Sequence, residues 1–597
     1  MFQTFDSPTR PADGPPRLEA LRREIAAEGL DGFLVPRADA HQGEYVPPRD
    51  ARLAWLTGFT GSAGFAAVLA DSAGVFIDGR YRVQVKAEVA ASHFTPVPWP
   101  ETALAEWLME ALPQGGRIGF DAWLHTAGEI AKLETALQGT GIAVVAVENL
   151  VDRIWADQPP PPSGPVRPWP ETHAGEGAAS KRRRLGADLA AAGQAAAVLT
   201  LPDSIAWLLN IRGSDLPRVP VALGFAVLHA GGDVDLYLTP GREIDLGPHP
   251  DGAVRIRAMD DLAADLAALP GKVRVDRDRA PLAVSRLLRQ PVWGADPCIL
   301  PKARKTPAEL AGAAEAQLRD GAAMVAFLAW LDAEAPKGKL TEIAVVSALE
   351  GFRRATNALQ DLSFDTICGS GPNGAIVHYR VTRASDRRIR PGELLLVDSG
   401  GQYLDGTTDI TRTVAVGEVG PDEKTCFTRV LKGMIAISRI RFPKGVGGQH
   451  LDALARAPLW LAGQDYDHGT GHGVGAFLSV HEGPAGLSRR SEAALEPGMI
   501  LSNEPGYYRE GAFGIRIENL IVVEEAPALP GGDAARRMLG FRTLTFVPID
   551  RRLVLPAMLD KDERAWLDAY HRDTLALLRD RVAPEVRGWL EKTCAPL

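Results

Sequence analysis

The chain has 597 residues, 46% hydrophobic and 24% charged, with net charge -9 and a pI near 5.8. This is an ordinary globular composition with room for about three or four domains, and it lacks the basic excess of a nucleic-acid binder. Cys298, Cys368, Cys426 and Cys594 are far apart and form no CxxC pair, which argues against a disulfide framework and for a cytoplasmic setting.

The N-terminal stretch carries charges throughout and lacks the apolar centre of a signal peptide. Leu18, Leu21 and Ile25, followed by Leu30, give an amphipathic helix pattern, and Gly32–Val35 reads as a strand. The 18 residues Leu53–Ala70 carry no charge. Gly58, Gly61 and Gly64 interrupt them, so strand, glycine turn, strand is expected rather than a membrane span. Further strands are expected at Phe65–Leu69 and Gly74–Ile77, completing an α/β domain over 15–155.

Seven prolines between Pro159 and Pro170 favour extended backbone and mark an interdomain linker. The basic run Lys181–Arg184 is expected to be the solvated start of a helix continuing to Ala192. Ala196–Thr200, Phe225–Leu228 and Val234–Leu238 are strand-like, giving a second α/β domain over 175–302. Two similar modules in tandem are expected, although no sequence identity links them.

Thr306-Pro307-Ala308-Glu309 combines a capping box with proline at the first helical position. A long helix should follow, with Leu318, Met324, Val325, Leu328 and Leu331 facing inward. The third domain runs over 303–597 and holds five of the 12 histidines between His378 and His481.

Leu394–Val397 is an apolar strand ending in Asp398, and turn residues at Gly400-Gly401 and Asp405-Gly406 separate it from Asp409. A hairpin would bring the two carboxylates together. His468-Gly469-Thr470-Gly471-His472-Gly473 places two histidines in a glycine frame that lets backbone approach a ligand. His481-Glu482-Gly483-Pro484 and Asn503-Glu504-Pro505-Gly506 follow. In Gly514–Asn519, Arg516 and Glu518 share one strand face between apolar neighbours, so a buried acid is expected, and such an acid needs a partner or a metal. Four carboxylates and one imidazole form an oxygen-rich set suited to Mn²⁺-like ions. Two divalent ions would balance the four negative charges and leave room for an acidified water.

These segments, in this order, resemble the pita-bread metallopeptidase family that includes methionine aminopeptidase, prolidase and aminopeptidase P. The resemblance implies that Asp398, Asp409, His472, Glu504 and Glu518 hold two divalent metal ions, expected to be Mn²⁺, with Asp409 and Glu518 bridging. Thr57–Gly64, Asp78–Tyr81, Ala206–Asp215, His378-Tyr379 and Trp566–His571 are similar to the long, three-domain Xaa-Pro aminopeptidases. The proline linker and the patch Pro527–Ala535 depart from that pattern. The implied fold is α/β (α+β), two creatinase-like α/β domains followed by a pita-bread catalytic domain. The implied activity is hydrolysis of the bond before a second-position proline in peptides, by a homodimer that needs no nucleic acid or membrane. The resemblance assigns Glu504 as general base, His378 and His481 as substrate-facing, His468 as pocket-lining and Arg516 as the orienter of a ligand carboxylate. Prolidase shares this chemistry but acts on dipeptides and is shorter. A non-catalytic binding module of the same fold would usually lack the ligand set.

Overall fold

The computed structural model describes residues 1–247, 249, 252–533 and 535–597. One compact unit comprises Pro8–Ile299; the other comprises Met1–Ser7 and Leu300–Leu597.

The first unit holds two six-stranded sheets of the same topology. β1 (Gly32–Pro36), β2 (Phe65–Leu69), β3 (Ala73–Ile77), β4 (Thr95–Pro98), β5 (Gly116–Phe120) and β6 (Ile142–Ala146) lie in the order β4-β3-β2-β1-β5-β6. β7 (Ala196–Leu199), β8 (Gly224–His229), β9 (Val234–Leu238), β10 (Val254–Ala258), β11 (Val273–Val275) and β12 (Pro291–Trp293) lie in the order β10-β9-β8-β7-β11-β12. In both sheets the first three strands run antiparallel and the remaining pairings are parallel. The halves share a pairing pattern rather than residues. β1, β3 and β7 are apolar runs buried almost throughout, as strands covered on both faces require.

α1 (Gly14–Ala27) buries Leu18, Leu21 and Ile25. The strand expected at the start of the uncharged stretch is instead α2 (Arg52–Thr57), closed by Gly58 at φ +91°. A short apolar run does not distinguish strand from buried helix, and Gly58 supplies the left-handed cap that ends one. The second half is β2, as expected.

Half of the basic run is also a correction, since Arg183 and Arg184 are exposed as expected but Lys181 and Arg182 are not. The run lies inside α3 (Ala178–Ala191), where Lys181 and Arg182 are buried. The Lys181 ammonium donates to Trp207 O (3.0 Å) and Asn210 Oδ1 (2.8 Å), and Arg182 donates to Gly232 O at 2.8 Å. Carbonyl oxygens solvate these charges. The proline-rich stretch ends in a two-residue strand, Arg167–Pro168, paired with Ile211–Arg212.

In the second unit, Thr306 caps α4 (Pro307–Glu334): its Oγ1 accepts from Glu309 N at 3.2 Å, and Glu309 Oε2 accepts from Thr306 N at 2.9 Å. Met324, Val325, Leu328 and Leu331 are buried, while Leu318 is half-buried. α5 (Glu342–Arg354) packs beside α4 through a buried ion pair. Arg353 donates to Asp320 at 2.8 and 2.9 Å, and Tyr403 OH donates to the same carboxylate at 2.6 Å. Arg353→Ala would leave Asp320 buried without its charge partner. Such a loss costs about 3–5 kcal/mol, so a matching fall in unfolding free energy by urea titration is expected.

β13 (Ile367–Ser370), β14 (Glu393–Ser399) and β15 (Ile410–Val416) form an antiparallel sheet. α6 (Pro421–Arg439) and α7 (Gln449–Trp460) follow it. β16 (Gly471–Gly473), β17 (Glu482–Leu487), β18 (Ile500–Asn503), β21 (Asn519–Glu525) and β22 (Met538–Thr543) join Phe442–Pro443 in a six-stranded sheet, while β19 (Gly506–Arg509) pairs with β20 (Phe513–Arg516). The patch Pro527–Ala535 connects β21 to β22, with Ala534 outside the described residues. α8 (Lys561–Leu578) covers the sheets near the end of the chain, burying Leu567 and Tyr570.

Residues Met1–Ser7 belong to this second unit, although the first unit separates them from it in sequence. Gln3 and Phe5 are buried there. All four cysteines are buried, and none forms a disulfide. Among the described residues no helix is long and apolar enough to cross a membrane.

Candidate metal centre

The expected hairpin is present. β14 pairs with β15 so that Asp398 lies opposite Thr411, and Asp409 immediately precedes β15. Leu394–Val397 anchor β14 in the core, leaving Asp398 and Asp409 at its end, 7% and 3% exposed.

His472 is the middle residue of β16. The glycines beside it serve strand packing, a different use from the approach to a ligand that their spacing suggested. A Cβ on Gly471 would stand 1.9 Å from Ser502 O, and one on Gly473 2.1 Å from Glu482 O. Only glycine lets β16 sit this close to both neighbours. His472 Nδ1 lies 2.9 Å from Gly473 O. That carbonyl can only accept, so Nδ1 carries a proton and Nε2 faces the acids. Nε2 is 3.5 Å from Asp409 Oδ2 and 3.5 Å from Glu504 Oε1.

Glu504 follows β18, its backbone N–H donating to Thr470 O at 2.7 Å. Glu518 sits in the turn between β20 and β21, 1% exposed, its Oε2 accepting from Thr411 Oγ1 at 2.8 Å. Donor atoms of Asp409, His472 and Glu518 all lie within 4.8 Å of one another. Asp398 and Glu504 join this trio through other contacts. Arg516 Nη2 donates to Asp398 Oδ2 at 2.6 Å, and its Nε is 4.0 Å from Glu504 Oε2.

Burial pushes Asp398 upward, and Asp409 adds to this while Arg516 opposes it. Burial raises Glu504 to about 7 against the opposing charges of His472 and Arg516. Glu518 is pushed well above the carboxylate range by burial and by Asp409, Glu504 and Asp398. For His472 burial works against the charged ring, but the hydrogen bond to Asp409 and the charges of Glu504 and Asp409 outweigh it and hold the ring at about 9. Asp398 Oδ1, Asp409 Oδ1 and Glu518 Oε1 are buried and have no hydrogen-bond partner among the described residues. Buried carboxylate oxygens are normally satisfied. A set of acids with such oxygens around an imidazole nitrogen fits divalent cations.

The other expected residues surround this cluster. The His481 ring stands edge-on to His472, with centroids 4.2 Å apart. His468 Nε2 is 2.9 Å from Tyr508 OH, and His468 Nδ1 is 2.7 Å from Gly469 O. Arg516 Nη1 also donates to Tyr508 OH, at 2.5 Å. His378 is half-buried and follows Val377, whose carbonyl accepts from Arg516 Nη1 and Nη2 at 3.4 Å each.

Several supporting residues carried no assigned role in the sequence. Tyr508 joins His468 to Arg516. Thr411 could have been found, because it lies two residues after Asp409, near the start of β15. Asp452 and Arg456 of α7 brace the histidine loop: Asp452 accepts from Thr470 Oγ1 at 2.6 Å, and Arg456 donates to His468 O at 2.6 Å. Glu482 is clasped by the buried ammoniums of Lys302 and Lys305. No local pattern announces these distant pairs.

Residues 311–525 match the model of metallopeptidase family M24, and 537–597 match the C-terminal region of peptidase M24. Residues 17–154 and 157–309 each match a creatinase/prolidase N-terminal domain. Aminopeptidase P2 of Arabidopsis thaliana is 38% identical over 97% of this chain and 88% of its own length. The probable Xaa-Pro aminopeptidase P of Talaromyces stipitatus is 38% identical over 97% and 92%. Among solved structures, the X-prolyl aminopeptidase of Caenorhabditis elegans, described as a cytosolic enzyme with a di-nuclear active site, is 31% identical with a TM-score of 0.93, covering 98% of this chain and 99% of its own. The architecture is therefore creatinase-like N-terminal domains joined to a pita-bread catalytic domain, and the chain belongs to the Xaa-Pro aminopeptidase P group of metallopeptidase family M24.

Proposed function

We propose that this metalloaminopeptidase hydrolyses the N-terminal Xaa-Pro bond of peptides, using two divalent ions held by Asp398, Asp409, His472, Glu504 and Glu518. One observation carries the reading: buried acids converge on His472 Nε2 and, among the described residues, leave three of their carboxylate oxygens without hydrogen bonds. Ions held by these residues would supply an acidified water and Lewis-acid polarisation of the scissile carbonyl.

The residues divide the remaining work. Glu504, raised by burial, accepts the proton of the attacking water and returns it to the proline nitrogen as the C–N bond breaks. His378 and His481 donate hydrogen bonds to the substrate and to the oxyanion that forms on its carbonyl. His468 lines the pocket. Arg516 orients Asp398, with which it shares a 2.6 Å bond. Mn²⁺ as the ion, a cytoplasmic setting, a homodimer and division at 15–155, 175–302 and 303–597 belong to the same reading. The family matches, which change over near residues 155 and 310, support that division.

The test pairs metal analysis with two substrates. Purified protein should carry two ions per chain and cleave Xaa-Pro-Xaa tripeptides far faster than Xaa-Pro dipeptides. Faster dipeptide cleavage would replace this reading with a prolidase. Absence of metal and turnover together would leave a binding module. Light scattering would decide the dimer.

A further inference from the structure

Residues Phe2–Asp6 lie across the catalytic unit and touch it at specific points. Phe2 N donates to both oxygens of Glu350, at 2.8 and 3.0 Å. The Gln3 side-chain amide pairs with the backbone of Thr366 in both directions: Oε1 accepts from Thr366 N at 2.8 Å, and Nε2 donates to Thr366 O at 3.2 Å. Phe5 is 7% exposed within the core cluster that includes Cys368, Tyr379 and Val381. Its carbonyl accepts from Arg383 N at 2.9 Å.

Thr366 and Arg383 bracket one excursion of the chain. It starts at β13, passes His378 and returns to the strap. Inside it, Val377 O accepts from the guanidinium that holds Asp398. Glu342 ties the same loop from the other side, accepting from Ser370 N at 2.8 Å and Tyr379 OH at 3.0 Å. A segment held at both ends has few conformations to lose when one of its side chains must meet a substrate.

We infer that Gln3 and Phe5 are positioning residues for His378: the N-terminal strap fixes the ends of the loop that carries this histidine. The inference rests on the reading of His378 as substrate-facing. The strap contributes no group to the substrate and acts only through the placement of the loop.

A double-mutant cycle in the full-length, metal-loaded chain tests this. Gln3→Ala and Phe5→Ala should each lower kcat/KM on an Xaa-Pro-Xaa tripeptide on the order of ten- to a hundredfold, the scale of a small misplacement. Bound metal should be unchanged, and Phe5→Leu should restore most of the loss. In a His378→Ala background the same substitutions should add little further loss. Equal losses in both backgrounds, or none in the native one, would overturn the inference. Hydrogen exchange supplies the second arm. Exchange should rise in residues 366–383 and not across the whole chain; a uniform rise, or no rise, overturns the inference as well. If His378→Ala alone leaves turnover intact, the role given to His378 fails, and the exchange result still decides whether the strap holds the loop.

Discussion

Glu518→Gln is expected to abolish metal-dependent turnover while making the metal-free chain more stable. Glu518 is 1% exposed, and among the described residues its Oε1 has no hydrogen-bond partner. Losing a metal-activated water removes several kcal/mol of barrier lowering, a fall in kcat of on the order of a thousandfold or more. The amide keeps an oxygen for Thr411 Oγ1, which bonds the native side chain at 2.8 Å. It also removes the cost of keeping an acid in a site where burial and Asp409, Glu504 and Asp398 all disfavour ionisation. Activity and metal-free stability should therefore move in opposite directions, which a residue with a purely structural role would not do. Steady-state kinetics, metal analysis and a chelated thermal melt measure the three quantities. Asp398→Ala should lose turnover too. Native turnover by either purified variant would sink the ligand assignment.

Chelation should make stability strongly dependent on pH, with a predictable sign. In the metal-free chain Glu504 lies at about 7 against an ordinary 4.5. Across that interval the folded chain keeps a proton that the unfolded chain has released, so stability falls as pH rises through it. A displacement of that size corresponds to about 3 kcal/mol. His472 lies at about 9 against 6.5. The stability it contributes is full below its ordinary value and is lost as pH climbs through the raised one. Both slopes have the same sign. Chelated protein should melt at a distinctly lower temperature at pH 9 than at pH 6, and two equivalents of metal should shrink the difference. A chelated melt independent of pH would show that these acids are not strained together.

Much of this was legible because its signals are local. The Thr306–Glu309 box and the strands at Phe65–Leu69 and Val234–Leu238 are announced within a few residues. So are the Asp398 and Asp409 hairpin and the glycine frame of His472. One misreading is local, and the others arose where the deciding partner is remote. Arg52–Thr57 forms a helix because a left-handed glycine closes it, which its apolar residues do not reveal. Lys181 and Arg182 look like solvated charges until the carbonyls of Trp207 and Gly232 are seen beside them. Tyr508, Asp452 and the lysines on Glu482 gain meaning only from the tertiary contacts they make. The duplicated sheets share a pattern of pairing, and residue identity does not encode that pattern one position at a time.

The placement of Met1–Ser7 has a consequence for synthesis. Gln3 is made well before the backbone it pairs with, which lies 363 positions further along the chain. At about 5–20 residues per second, that partner is made roughly 20–70 s later. The first sheets can close meanwhile, since all their strands precede residue 300. The leading segment must remain unengaged until the catalytic unit emerges. A segment made before the first unit thus finds its place only after that unit is complete.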